Sequence, residues 1–449
     1  MIKHFKILFF LLIFTSTCFS QTKSLNFKND TLLLYPKFSA FSSFEKENNN
    51  VFLLGISLKL KHNQKTNFNI KYDYLKIDNI KIIKNYYDSL SIYPNFNDKN
   101  VRLRYSINHQ FNSLFNIQAG KGNNFIGDGY RSLLLSNNQA PYSYIKLTTK
   151  FGKVIYTNLY STLYNLNDNN LNKKFSATHY LNVDINSSIS IGIFESVLWQ
   201  SRIGAYNRGF EIGYLNPIIF YRPVEFSMGS NKGNALMGLN FAVKIKNQKF
   251  YSQFLLDDLN ISRKKHLDKE NNSSGFFQNK YGYQLGVSFN YKNLNYNLEY
   301  NQVQPYTYAH KIPFQNYSHI NQALAHPLGA NFKEFINIVK FKKENFFFSL
   351  SSKFIKIGLD SANSHFGQNI FISDLNASNE GAQYSFGNYN GQGILTKMYV
   401  FEPEISYRLK HFDIFSSIYY LKKKSDLVDQ TSIYVLIGIR NIPFSIFPF

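Results

Sequence analysis

Apolar and polar side chains alternate with a period of two along most of this chain. Between Thr66 and Tyr74, Phe68, Ile70, Tyr72 and Tyr74 are interleaved with Asn67, Asn69, Lys71 and Asp73. A β-strand turns successive side chains to opposite faces, so one face here is aromatic and greasy and the other polar and charged. The same beat returns at Val101, Leu103, Tyr105 and Ile107 against Arg102, Arg104, Ser106 and Asn108. It returns again at Tyr283, Leu285, Val287, Phe289 and Tyr291.

The pattern predicts an all-β protein with strands over 51–60, 66–77, 101–111, 143–150, 153–164, 176–186, 188–198, 236–245, 249–256, 281–291, 293–302, 335–343, 345–355, 397–410, 412–421 and 431–440. Asn186-Ser187-Ser188, Lys292-Asn293 and Lys410-His411 read as hairpin turns. Longer interruptions at 78–100, 165–174, 200–235, 257–280, 303–334 and 358–396 are rich in Asn, Gly, Ser and Asp, as surface loops are.

Alternation by itself does not choose the solvent, since a large secreted sandwich alternates too. Composition favours a membrane wall. Aromatic residues make up 17% of the chain, with 44 Phe and 33 Tyr against a single Trp. Such a bias suits a lipid-facing surface with aromatic girdles. The mean hydropathy of −0.28 is what polar inward residues would produce. Nothing after residue 20 approaches the roughly 18 consecutive apolar residues of a membrane helix. On Tyr399 to Lys410, Glu402 and Arg408 share the parity opposite Phe401, Ile405 and Tyr407. An Arg at the bilayer midplane costs about 2–4 kcal/mol, so that parity must face a lumen. The expected fold is a transmembrane antiparallel outer-membrane β-barrel of about 16–18 strands, monomeric, with long extracellular or inward-folded loops. So wide a barrel needs filling, and Gly120–Ser136 and 200–235 are the candidate plugs.

Residues 1–20 read as a cleavable export signal ahead of a single barrel domain, 21–449. Lys3 and Lys6 precede the apolar core Ile7 to Phe14, and Cys18-Phe19-Ser20 offers small residues at the cleavage site. Cys18 raises a lipoprotein alternative, but Thr15-Ser16-Thr17 lacks the usual lipobox residues. Cleavage removes the only cysteine, and with it any thiolate or disulfide chemistry. The formal charge of +22 falls by only Lys3 and Lys6. It marks either a lumen that attracts anions or lysine-rich exposed loops; nucleic acid does not fit the export signal. The chain stops at Phe449 and resembles the terminal-aromatic signal read by the barrel assembly machinery. Pro443 and Pro448 end the last strand near Arg440.

Catalytic chemistry finds little support. Gly120, Gly122, Gly127 and Gly129 suggest a phosphate loop, but no Gly-Lys-Ser/Thr follows and no strand-to-helix context exists. Asp257 and Asp258 are adjacent on a strand, so their carboxylates diverge, unlike a glycosidase pair. His319 and His326 lie seven apart in a loop, and solvated or hydrogen-bonded histidines explain them better than a metal site. There is no Gly-x-Ser-x-Gly elbow and no His-Glu-x-x-His. No enzyme, cofactor or metal is expected. Trp199 reads as an interface anchor, a packing residue or a sugar-stacking platform. Arg202, Glu211, Arg222 and Glu225 read as an ion-pair network holding an inward-folded loop.

Gly127-Asp-Gly-Tyr-Arg-Ser-Leu-Leu-Leu-Ser136, Pro141-Tyr142 and Tyr156-Thr-Asn-Leu-Tyr160 resemble segments of the Wzi-like capsule-assembly outer-membrane proteins, in particular their Bacteroidetes relatives of the gliding-motility RemB type. Glu195-Ser-Val-Leu-Trp199, Tyr214-Leu-Asn-Pro217, Tyr221-Arg-Pro-Val-Glu225, Asn234-Ala-Leu-Met-Gly238, Gln253-Phe-Leu-Leu-Asp-Asp258 and His326 to Glu334 extend the resemblance over most of the chain. It implies a cell-surface barrel that binds or anchors capsular polysaccharide and supports capsule assembly, adhesion or gliding motility. The expected partners are surface polysaccharide, outer-membrane lipid and the barrel assembly machinery. Candidate ligand-binding residues are Asp128, Tyr130, Arg131, Trp199, Arg202, Tyr221, Arg222 and Glu225. The alternative is a porin-like channel for small solutes.

Overall fold

The computed structural model describes residues 23–27, 30–44, 49–77, 99–167, 170–203, 206–216, 233–259, 279–361, 364–376 and 387–441. The export signal, the tail after Asn441, and Tyr221, Arg222 and Glu225 fall outside these residues.

The alternating segments pair into one antiparallel sheet that closes on itself. Eighteen strands make the cylinder. The first half comprises β1 (Asp30–Phe44), β2 (Asn49–His62), β3 (Thr66–Ile77), β4 (Lys99–Gln110), β5 (Phe115–Gly122), β6 (Tyr142–Phe151), β7 (Val154–Asn167), β8 (Asn170–Asp184) and β9 (Ile189–Gln200). The second comprises β10 (Asn234–Ile245), β11 (Gln248–Asp258), β12 (Lys280–Tyr291), β13 (Leu294–Val303), β14 (Phe332–Lys343), β15 (Phe346–Leu359), β16 (Ile394–Arg408), β17 (Asp413–Lys424) and β18 (Asp429–Arg440). Each strand pairs with its sequence neighbour, and β1 closes the ring on β18 from Ser39↔Arg440 to Phe44↔Val435. A short strand, Lys23–Phe27, lies beside the first half of β1 where β18 does not reach. Closure leaves no long unpaired edge, which a sheet in hydrocarbon could not tolerate.

Two strands lie outside the predicted set, β1 and β5. Leu32-Leu33-Leu34 followed by Pro36 obscures the period in β1, and β5 is short and ends in Gly-Lys-Gly. The expected loop at 165–174 is corrected: β7 and β8 stay paired to Asn167↔Asn170. The Asn residues there are spaced along paired backbone and do not break it.

Tight connections gather at one end. Asn63 (φ 48°) and Gln64 (φ 59°) turn β2 into β3, and Lys246 (φ 52°) and Lys292 (φ 50°) sit in two more short turns. Asn186 Oδ1 accepts the backbone N–H groups of Ser188 and Ile189, both at 2.8 Å. The long connections leave from the opposite end. In an outer-membrane barrel the short turns face the periplasm and the long loops the outside.

Parity sorts the side chains as predicted. Val101, Leu103, Tyr105 and Ile107 are exposed on the outer wall, as are Leu239, Phe241, Leu285, Phe341, Phe348, Ile405, Ile418, Ile433 and Ile437. The opposite parity points into the lumen, where Glu404 pairs with Arg440 (Nη1···Oε2 2.9 Å) and Arg408 with Asp413 (Nη2···Oδ2 2.9 Å). An exposed apolar band on a closed sheet is the signature of a lipid-embedded barrel, and Glu195, on the outer parity of β9, is buried opposite His179 and not exposed within that band. The protein is an outer-membrane β-barrel.

Candidate functional site

Among the described residues two long connections fill the lumen, and 364–376 packs on the second of them through Gly367, Gln368 and Ile370. The first, 123–141 between β5 and β6, carries Leu133, Leu134 and Leu135, which are 0–3% exposed inside the lumen. The wall makes room for it: a Cβ added at Gly238 on β10 would lie 2.4 Å from a Leu134 methyl. Gly127 takes φ +120°, a left-handed conformation that a side-chain-bearing residue rarely adopts, and turns the chain towards β11. The second segment, 304–331 between β13 and β14, holds the first. The Tyr308 and Tyr317 hydroxyls donate to the carbonyls of Leu133 (2.9 Å) and Leu134 (2.8 Å), and Ser136 N–H donates to the Leu324 carbonyl at 2.8 Å.

Buried wall carboxylates fix both segments. Glu299 on β13 accepts the backbone N–H groups of Tyr130 (2.6 Å) and Arg131 (3.0 Å), and also the Tyr251 hydroxyl (2.9 Å). Hydrogen bonds to a charged group contribute about 1.5–3 kcal/mol each. Glu334 on β14 lies 2.7 Å from His326 Nε2 and 3.8 Å from Arg131 Nη2, so it touches both inserted segments. Asn301 bridges the two acids, at 2.9 Å from Glu299 and 3.3 Å from Glu334. Deeper in the second segment, burial holds the His310 imidazole down at about 4 and that of His319 at about 3. His319 instead accepts the Tyr164 backbone N–H at 3.0 Å. His319 and His326 thus have separate partners, and no group of three or more ligating side chains occurs among the described residues.

The lumen wall is cationic beside these segments. Lys37 and Arg104 both reach Asp73, at 3.1 and 2.5 Å, with Lys59 and Lys71 close by. Two cavities flank 123–141. One of about 310 Å³ lies near the long-loop end and is lined by Arg102, Arg104, Lys121, Asn123 and Gln322 among others. One of about 620 Å³ lies at the short-turn end, where Lys244, Lys246 and Lys249 meet Asp128, Asp184 and several Ser and Asn side chains.

Of the predicted binding residues, Asp128, Tyr130 and Arg131 come together on the first inserted segment. Asp128 pairs with Lys249 and accepts from Asn240 Nδ2 at 2.6 Å. Tyr130 is 43% exposed, with the Arg131 guanidinium 5.1 Å from its ring centre. Trp199 does not join them. It sits on the outer parity of β9 and is fully buried beneath Phe210 and Tyr214, so it has no face to offer a sugar. Arg202 is exposed at the loop end, on the rim beyond Trp199. The predicted plug at 200–235 is corrected in its described part: 206–216 packs on the outside of the wall, and 304–331 is the second filling segment. Of the ion-pair network expected there, Arg222 and Glu225 lie outside the described residues, and Glu211 pairs with Arg208. Asp257 and Asp258 do diverge: a register shift separates them, and Asp257 accepts the Tyr308 N–H at 2.7 Å.

Sequence reasoning missed Glu299, Glu334, Lys244 and Lys249. Their signal was a charge on the polar parity of an otherwise apolar-aromatic strand, as Glu299 stands between Leu298 and Tyr300.

No protein-family model matches the chain, and no curated protein matches its sequence. Among solved structures, it is similar to the outer membrane protein OprD of Pseudomonas aeruginosa at 10% identity, covering 94% of this chain and 95% of that one with a TM-score of 0.47. It is similar to the outer membrane protein opdK of the same organism (8% identity, 92% and 98% covered, TM-score 0.47). Acinetobacter baumannii OccAB2 is a third (10% identity, 92% and 97% covered, TM-score 0.47). The likeness is one of architecture, that of an outer-membrane barrel. It corrects the resemblance read from short motifs: the structures found are of the OprD and Occ type, not Wzi-like, and no family model supports the latter. Capsule anchoring and sugar binding lose their basis with it.

Proposed function

We propose that the protein is a porin-like channel for small solutes, with a preference for anions. The observation that carries this reading is the lumen itself. Its wall is polar and cationic, and cavities lined by Lys, Arg, Ser and Asn side chains lie on both sides of the inserted segment 123–141. Lys37, Lys59, Lys71 and Arg104 cluster around a single carboxylate, Asp73, so a local positive potential extends along β1–β4. An anion at this wall exchanges part of its hydration for these ammonium and guanidinium groups, and passes the inserted segments beside rather than through the buried Leu133–Leu135.

Single-channel recording in planar bilayers tests the proposal. Stable ohmic currents are expected, with a reversal potential in a salt gradient that reports anion preference, and the preference should weaken in Lys71→Gln. A barrel that inserts but stays electrically silent would overturn the reading.

A further inference from the structure

The geometry points to a binding site for a small carboxylate or phosphate at the short-turn mouth, in which the ligand competes with Asp128 for Lys249. Lys244 and Lys249 are direct cross-strand partners on the lumenal face of β10 and β11. Like charges placed opposite one another in a sheet repel, so the pair is a cost that packing does not require. It is also incompletely neutralised. Asp128 reaches Lys249 and Asn240 but is not paired with Lys244, while Lys246 adds a further ammonium to the same cavity. Asp184, the other carboxylate lining it, accepts instead from Asn182 at 3.1 Å.

The remaining lining is what an oxyanion uses. Ser188, Ser190, Ser288 and Asn290 supply hydroxyl and amide donors around a space of about 620 Å³. Asp128 is not part of the wall. It is the tip of the inserted segment, flanked by Gly127 and Gly129, and its carboxylate ties that tip to β10 and β11. The Tyr130 and Arg131 N–H groups on Glu299 and the Leu133 N–H on Gln253 anchor the residues that follow. An incoming carboxylate or phosphate offers Lys249 the same charge-assisted bonds and Lys244 new ones, so the internal acid is a stand-in for the ligand. Ligand binding and the Asp128–Lys249 pair then compete, and each weakens the other.

This inference deepens the channel reading, and calorimetry separates the two. Malonate and inorganic phosphate are titrated into the purified barrel in non-ionic detergent at low salt. The wild type should bind at least one of them saturably; phosphate alone or malonate alone identifies which oxyanion the mouth prefers. Lys244→Gln with Lys249→Gln should weaken that binding tenfold or more. Asp128→Asn should tighten it several-fold by removing the competitor, a gain that a structural role for Asp128 would not produce. Heat-modifiable gel mobility confirms that each variant is folded. Absence of saturable binding by folded wild type, or unchanged or weaker binding by folded Asp128→Asn, would overturn the site. Binding by a barrel that does not conduct would overturn the channel reading alone.

Discussion

A tryptophan with no exposed surface contributes only through what it packs against. Trp199 lies 4.6 Å from Tyr214, 5.4 Å from Phe210 and 5.9 Å from Phe175 between ring centres, and its indole N–H donates to the Gly209 carbonyl at 3.2 Å. The cluster staples 206–216 to the outer wall. Truncating so large a buried aromatic removes about 3–5 kcal/mol. Trp199→Ala should therefore lower the thermal unfolding midpoint in detergent and expose 206–216 to protease, while single-channel conductance stays at the wild-type value. A conductance change would place Trp199 in the permeation path and contradict the packing. At this scale the sequence was only partly legible. Type and spacing identified Trp199 as notable, but only parity against neighbouring strands puts its ring outside the cylinder. Asp128, Tyr130 and Arg131 stood out in a glycine-rich motif as polysaccharide contacts. The structure shows them instead on the inserted segment, bonded to the wall through Asp128 and the backbone N–H groups of Tyr130 and Arg131. Lys244 and Lys249 were not legible, since their pairing depends on the register of β10 and β11.

Among elements, the inserted segments fill the lumen, and docking of the second, 304–331, depends on neutral histidines. Burial depresses His310 to about 4 and His319 to about 3, from an ordinary value near 6.5; Lys280 reinforces the shift at His310 and Lys174 at His319. A depressed imidazole means that the undocked segment binds protons more readily than the docked one. Docking is therefore strongest above about pH 6.5 and is lost progressively as the pH falls towards 4. Each histidine shifts the equilibrium by up to about tenfold per pH unit within that window. Limited proteolysis should cut 304–331 faster at pH 4.5 than at pH 7. His310→Gln should flatten the profile, and a rate independent of pH would refute the dependence. Leu133-Leu134-Leu135 within a polar loop marks an inserted segment in the sequence. The second segment, with Tyr, His and Asn at its contacts, carries no such run, and reads as a surface loop until the wall encloses it.

For the whole molecule, one periodicity does most of the specifying. Sixteen of the strands follow directly from alternation, because a wall with lipid on one side and water on the other forces period two on every crossing. The pattern fails at β1 and β5, where leucine runs or glycines hide it, and there closure of the ring imposes the pairing. The same asymmetry predicts how substitutions divide. Leu285 is 55% exposed on the outer face of β12, and Ser288, three residues on, lines the lumenal cavity. An arginine replacing Leu285 near the middle of the band should cost about 2–4 kcal/mol of insertion free energy. Arginine at Ser288 stays hydrated and should cost far less. Folding both variants into lipid vesicles under urea titration measures the difference directly. Leu285→Arg should shift the transition to lower urea while Ser288→Arg stays near wild type; equal shifts would mean that the exposed band does not meet acyl chains.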